Sequence, residues 1–459
     1  MKDFRPLVLG SIICLTGLTA SAQLGQLDPG FGTGGVVVSD ITDLDYGYDV
    51  HIQADGTIAA VGSTSSFNPS SRNASMFHFL SDGTPSWNRQ FDNGVFGCSV
   101  PEAFYAMEEE ADGNLLAGGF AQFDCGGPQR DFWIVRTDTA GNEILRFDRP
   151  VFHGVIENLW DLLIQPDGKV VAVGFAGTNP SDNSTWDVAV ARYNADGSLD
   201  TTGFGTGGEV MIDVAGDYDW IYQGALQTDG KIAAVGWTYD GAQYDSLLVR
   251  LNPDGSRDTS FGTNGVVTTD FVGSDDFGRD IVALPGGRLL VIGTRRDIGG
   301  GDNEIFIVRY EPDGSIDTGF GVGGVATLDF GGSAGASQIL IDPEGYIIVS
   351  GSVTFSGDPT TRDFAVARLG SDGQLDPTFG DGGAKVFGIV PGQGDSPIGI
   401  AVQPDDGAVV VVGYTVEIVG TDEVTDFVAS RLQGDLLATG VFADGFEGGN
   451  TSAWSDSTP

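Results

Sequence analysis

Carboxylates are the side chains of this sequence whose number and grouping could do chemistry. Asp40, Asp43 and Asp45 lie close together, Asp213, Asp217 and Asp219 form a second group, and Asp270, Asp275 and Asp276 a third. Oxygen-rich groups suit Ca²⁺, a hard cation that takes roughly 6–8 oxygen ligands. The ordered D-x-D-x-D-G loop is absent, and aspartates of this kind also cap strand ends and turns and keep a chain soluble. Calcium is thus the one candidate cofactor. Three further aspartates, Asp49, Asp161 and Asp280, occupy one position of a repeated unit, at the expected start of its innermost strand. Around a central channel they could bind a cation or a sugar amine, or bond only to local backbone.

Other chemistry finds little support. His51, His78 and His153 are scattered and pair with no nucleophile. There is no G-x-S-x-G elbow and no Ser-x-Asp-x-Gly-x-x-Trp box. Glycine-rich Gly299–Gly301 stands between strands, not before a helix, so it is no phosphate cradle. With 64 acidic against 22 basic residues and a net charge of −42, the chain cannot follow a phosphate backbone, which excludes nucleic acid as a partner. A hydrophobic fraction of 41% is too high for a disordered acidic chain.

The elements that would position these residues are repeated. A Gly-anchored apolar phrase, clearest as Asp55-Gly56 to Gly62 and Asp167-Gly168 to Gly174, has its glycine at 56, 113, 168, 230, 287, 345 and 407. The intervals are 57, 55, 62, 57, 58 and 62 residues. A second phrase follows, as in Asp363–Leu369, and then a third, as in Asp258 to Phe261-Gly262. Short β-branched or aromatic runs bounded by Asp-Gly turns read as strands joined by hairpins, without helical periodicity. Four strands per unit, seven units in all, predict an all-β, seven-bladed β-propeller. In the fifth unit the strands are expected at Asp280–Leu284, Arg288–Gly293, Ile305–Tyr310 and about Val325–Phe330.

The phase of the repeat predicts how the ring closes. The chain opens on a last-strand phrase, Leu27-Asp28 to Phe31-Gly32, while the seventh unit ends at its third strand, Phe427–Leu432. The N-terminal outer strand would complete that blade. Third strands carry Arg192, Arg250, Arg309 and Arg368, with Asp200, Asp258, Asp317 and Asp376 eight residues on, nearly opposite across the hairpin. Arg431 lacks such an aspartate, and Asp28 would supply it. Arg136 fits the same slot in blade two, and His78 takes it in blade one.

Lys2 and Arg5 before the apolar run Leu7–Leu18, then Ala20-Ser21-Ala22, read as a secretory signal cleaved after Ala22. The run is too short to span a bilayer. The chain therefore divides into a leader (1–22), a repeat region (27–433) and a polar tail (434–459), and it is expected to be secreted or periplasmic and monomeric. Cys98 and Cys125, the pair left after cleavage, favour a disulfide in an exported protein.

The units resemble delta-60 repeats, secreted bacterial tandem repeats thought to form propellers, through the phrase Arg-x-x-x-Asp-Gly-x-x-Asp-x-x-Phe-Gly over roughly 27–433. Ser86-Trp87 and Glu143-Ile144 depart from it. The resemblance implies no activity. The ending Ala443–Gly449 with Thr451–Ser455 resembles a short C-terminal motif of exported proteobacterial proteins. Short hairpins trim one face of the disc, so function is expected on the long-loop, acidic face. Long connections are expected at Ser63–Asn73, Thr294–Asn303 and Thr415–Thr425, among others. Two readings remain: an exported, non-catalytic module binding a protein, glycan or surface polymer, and a carboxylate-dependent hydrolase or lyase at the channel mouth.

Overall fold

The computed structural model describes residues 24–434 except 66–71, 93–100, 124–128, 151, 153, 180–181, 183–184, 215, 217, 272, 356–361, 391–392 and 420–421. The leader, the tail beyond 434, Cys98, Cys125, His153 and Asp217 lie outside the described residues.

The described chain is all-β, with a 3₁₀ turn at Pro285–Gly287. Strands follow one another as antiparallel groups of four, such as Asp219–Leu226, Ile232–Tyr239, Tyr244–Leu251 and Val266–Thr269. Ser274–Ala283, Leu289–Asp297, Glu304–Tyr310 and Val325–Leu328 form the next group, and Ser333–Ile341 to Ala384–Phe387 the one after it. The N-terminal strand Val36–Ser39 pairs antiparallel with the last strand, Asp422–Leu432, Val36 lying opposite Ser430 and Ser39 opposite Phe427. Single parallel contacts, Leu44 to Thr425 and Ile156 to Arg130, touch neighbouring groups together at one edge.

Second and third strands are apolar on both faces because each sheet is covered on both sides. Ile232–Tyr239 is buried except at its end, and Tyr244–Leu251 from its third residue on. Residues of consecutive sheets form shared cores: Leu248 and Phe261 pack with Ile281, Val291, Phe306 and Val308 of the next sheet. Face-to-face stacking of successive four-stranded sheets is the architecture of a β-propeller.

The third phrase of the repeat is a staple between sheets. Phe261 is fully buried, with the Arg250 guanidinium 4.1 Å above its ring. Arg250 Nε donates to Asp258 Oδ2 at 2.8 Å, and its Nη2 donates to the Pro312 carbonyl of the next sheet at 2.7 Å. The Gly262 amide donates to the Asp313 carbonyl, also of the next sheet, at 2.8 Å. Glycine is required here: φ is +49°, and a Cβ would stand 2.3 Å from the Val266 oxygen. The same Nε–Oδ2 contact joins Arg192 to Asp200 (3.0 Å), Arg309 to Asp317 (2.8 Å), Arg368 to Asp376 (2.7 Å) and Arg431 to Asp28 (2.7 Å).

The two sheets that depart from the phrase fill the slot differently. Arg136 makes a two-pronged contact with Glu110, at 2.5 and 2.7 Å, from the turn between first and second strands. His78 stacks on Trp87, with centroids 4.8 Å apart, and its Nε2 lies 2.9 Å from Gln53 Oε1.

Several expected boundaries are corrected. Asp49, Asp161 and Asp280 are mid-strand residues, because the innermost strands begin earlier, at Leu44, Ile156 and Ser274. Polar residues such as Ser274-Asp275-Asp276 resemble a loop, but here they belong to the ladder, with Asp276 opposite Arg295. The expected connection Thr415–Thr425 is largely a continued hairpin between Val409–Val419 and Asp422–Leu432.

Candidate functional site

Each innermost strand carries a β-bulge at the same place. The register shifts between Gly47 and Asp49, Phe104 and Ala106, Leu159 and Asp161, Ile221 and Gln223, Gly278 and Asp280, Ala336 and Ile339, and Pro397 and Gly399. A bulge leaves its extra residue unpaired and re-aims the side chain. The extra residues are Tyr48, Tyr105, Trp160, Tyr222, Arg279, Ser337 with Gln338, and Ile398. All of them line one cavity of about 670 Å³, shared by the innermost strands.

Half of the wall is a continuous aromatic arc. Tyr48 meets Tyr105 edge-on at 4.8 Å, Tyr105 stacks on Trp160 at 4.3 Å, and Trp160 meets Tyr222 edge-on at 5.1 Å. The Arg279 guanidinium extends the arc, 4.4 Å above the Tyr222 ring. The opposite side is polar, with Ser337, Gln338, Asn303, Arg362 and Ser396. Arg362 Nη1 donates to Ser396 Oγ at 2.8 Å. Arg296 is also in the wall and is held by Asp275. Among the described lining residues there is no carboxylate, histidine or lysine.

Asp49, Asp161 and Asp280 sit one residue beyond the bulge, towards the hairpin face, and are bonded to backbone. Asp49 accepts from the Val50 and Met107 amides, both at 2.9 Å. Asp161 accepts from Leu162 (2.7 Å) and Gly224 (2.8 Å). Asp280 accepts from Ile281 and Ile339, both at 2.7 Å. In each case one oxygen satisfies the strand's own bulge and the other reaches a neighbouring innermost strand. Burial, with a smaller push from the Asp49 charge, raises Asp280 to about 7, and Glu108 to about 8. Burial also raises Asp49 to about 6 and holds Asp161 well above the carboxylate range. These acids couple to one another electrostatically, but they do not line the cavity.

The acidic groups regroup once folded. Asp213 and Asp219 meet Asp187, and Asp270 and Asp276 meet Asp245, with one oxygen of each residue within 4.8 Å of the others. Asp275 faces Arg296 instead. Asp45 has Asp40 and Asp426 as acidic neighbours, and the Thr425 amide donates to the Asp43 carbonyl oxygen at 3.2 Å. The buried member of each group ties down the incoming connection: Asp45 accepts from Ile41, Asp219 from Val214 and Asp276 from Phe271, at 2.6–2.7 Å. Asp395 repeats the contact with Ile389 at 2.6 Å. Burial, reinforced by neighbouring carboxylates, raises Asp187, Asp219 and Asp276 to about 6.

The bulge residues escaped the sequence reading. The usable signal was the x-Asp dipeptide, Tyr48-Asp49, Trp160-Asp161 and Arg279-Asp280, in which the residue before the aspartate faces the cavity.

No helix among the described residues is long and apolar enough to cross a membrane. No curated protein matches the chain. Solved structures that resemble it include a protein of unknown function from Dyadobacter fermentans, at 12% identity and TM-score 0.46, covering 88% of this chain and 100% of that one. The polysaccharide lyase Uly1 matches at 14% identity and TM-score 0.48, covering 84% and 90%. The β-propeller domain of the trilobed protease from Pyrococcus furiosus, described as having an open velcro topology, matches at 13% identity and TM-score 0.44, covering 87% and 99%. Residues 165–202, 227–261, 284–320 and 343–379 each match the profile of a β-propeller family, the domain of unknown function DUF5122.

Proposed function

We propose that the chain is an exported, non-catalytic binding module that holds a carbohydrate chain in the cavity at the mouth of its central channel. The observation that carries this reading is the aromatic arc of Tyr48, Tyr105, Trp160 and Tyr222 facing a polar wall. Aromatic faces pack on the C–H face of a sugar ring while amide, hydroxyl and guanidinium groups bond its oxygens, which is how mostly apolar pockets with a few placed polar groups achieve orientation. The alternative, a carboxylate-dependent hydrolase or lyase, needs a carboxylate facing the cavity as general acid or base. The nearby acids Asp49, Asp161 and Asp280 instead spend both oxygens on backbone amides.

The scaffold in this reading is a closed ring of seven blades. Four contacts support closure: the Val36–Ser39 pairing with Asp422–Leu432, the Arg431–Asp28 contact, Arg431 Nη1 to the Ser81 carbonyl at 2.8 Å, and the Gly32 amide to the Asp82 carbonyl at 2.9 Å. The last two repeat, between the last and first sheets, the staple that Arg250 and Gly262 make elsewhere. Export rests on the leader-like residues 1–22.

A glycan array followed by calorimetry on the best hit tests the function. Trp160→Ala is expected to weaken binding roughly 10- to 100-fold, the worth of one stacked ring, and no reducing ends should be released from the bound polymer. An array without hits, or a Trp160→Ala protein that binds as well as the parent, overturns the reading.

A further inference from the structure

Resting on the reading of the cavity as a glycan site, we propose that its ligand is anionic, a sugar chain bearing carboxylate or sulfate groups that Arg279 and Arg362 recognise. The distribution of unpaired arginine carries this. In a chain of net charge −42, 14 of the 20 described lysines and arginines have a carboxylate within reach. Those without one, among the described residues, are Arg72, Arg89, Arg130, Arg257, Arg279 and Arg362. Arg279 and Arg362 are in the cavity wall. Arg72 and Arg130 stand behind it, both close enough to act on the Tyr105 phenol.

Arg279 and Arg362 stand in a wall whose described lining holds no carboxylate. Among the described residues Arg279 has no hydrogen-bond or ion-pair partner, and its guanidinium stacks on Tyr222. Its Nε is buried without an acceptor, as is the Trp160 indole N–H. Both orphaned polar atoms of the described wall are therefore donors, and no orphaned acceptor stands among them. Those two atoms are enclosed, so a ligand would meet Arg279 through its Nη donors, and a planar guanidinium matches a carboxylate or sulfate through paired N–H donors. Arg296 adds a third cation to the wall, with Asp275 as the single acid against it.

Calorimetry on the full chain, with three probes, tests the assignment: an oligogalacturonate, the same oligomer fully methyl-esterified, and a sulfated galactan oligosaccharide. At least one charged probe should bind about tenfold or more tighter than the ester. Arg279→Gln and Arg362→Gln should each lose roughly 10- to 100-fold for that probe and little for the ester, with unchanged melting temperature. Whichever charged probe binds identifies carboxylate or sulfate as the source. Equal binding of acid and ester, indifferent to both arginine substitutions, overturns the anionic assignment and leaves the glycan reading standing. Failure of all three probes at millimolar concentration also overturns the assignment, while the glycan reading is judged by the array.

Discussion

Asp28→Asn tests whether the N-terminal strand is held to the last strand through Arg431. The substitution keeps the side-chain shape and the Oδ1 contact to the Gly30 amide at 2.9 Å, but removes the charge facing Arg431. That arginine is 14% exposed, and its other donors remain occupied by the Ser81 carbonyl (2.8 Å) and Gln403 Oε1 (2.9 Å). Breaking a fully buried pair costs about 3–5 kcal/mol. With both groups slightly wet and two bonds surviving, about 2–3 kcal/mol is expected here. Asp258→Asn, which strips a pair only 2% and 5% exposed, should cost about 3–5 kcal/mol by the same reasoning. The two should differ in where they act. Asp28 links residues 403 positions apart, so its loss lets Val36–Ser39 leave Asp422–Leu432. Amides in that pairing should exchange roughly 30- to 150-fold faster, the rate equivalent of 2–3 kcal/mol. Urea unfolding and hydrogen-exchange mass spectrometry read the two effects. If Asp28→Asn leaves exchange in Asp422–Leu432 unchanged while Asp258→Asn lowers stability, the N-terminal strand does not close the ring.

Stability should fall as pH rises from about 4 through neutrality, and level off above about 8. Burial raises Asp280 to about 7 and Glu108 to about 8 in the folded state; a raised pKa contributes stability below the unfolded value near 4 that is lost as pH rises through the folded one. Asp280, 7% exposed and moved by roughly three units, implies a loss of about 2–4 kcal/mol between pH 5 and 8.5, which urea midpoints at the two pH values measure and equal midpoints contradict. Asp258 behaves oppositely: burial is outweighed by Ser260 and Arg250, which hold it down to about 2, so its contribution is lost as pH falls from about 4 towards 2. Gly262→Ala should cost about 2–3 kcal/mol through left-handed strain and the Val266 carbonyl 2.3 Å from the new methyl. Gly286→Ala, at φ +78° with nothing within 4 Å, should cost only about 1 kcal/mol; equal losses would show that close approach contributes nothing.

Much of the scaffold was legible because the same physical problem is solved again in each sheet. A buried arginine needs an acid, a buried Phe needs the glycine after it to reach the next sheet, and both demands recur at a fixed spacing. Departures were legible only as departures. Nothing in Glu143-Ile144 says that Arg136 turns to Glu110 on the other side of its own strand, since that contact depends on side-chain reach and not on position in the phrase. The acidic groups misled in a different way. Asp45, Asp219 and Asp276 looked like loop residues because strands that begin on charged side chains are unusual, yet each is buried and bonded to the backbone of the arriving connection, as is Asp395.

The cavity was hidden by the regularity that revealed the fold. A bulge is normally betrayed as an extra residue when one strand is laid against another. Here every innermost strand has it, so the units align without a gap and alternation appears to continue, which directed attention to Asp49, Asp161 and Asp280. The aspartates recur because each solves a structural problem, feeding two amides at a bulge. The residues beside them, Tyr48, Trp160 and Arg279, differ from one another, as do Tyr105, Tyr222, Ser337 and Ile398 at the same bulge of strands without the aspartate, because the scaffold asks nothing of that position. In a repeated frame, a side chain that varies between units at a bulge that recurs in each is the one free to answer to a ligand. That criterion separates the arginine and aromatic wall from the carboxylates beneath it, and it places the asymmetry of the site, aromatic on one side and donor-rich on the other, in residues that no repeat constrains.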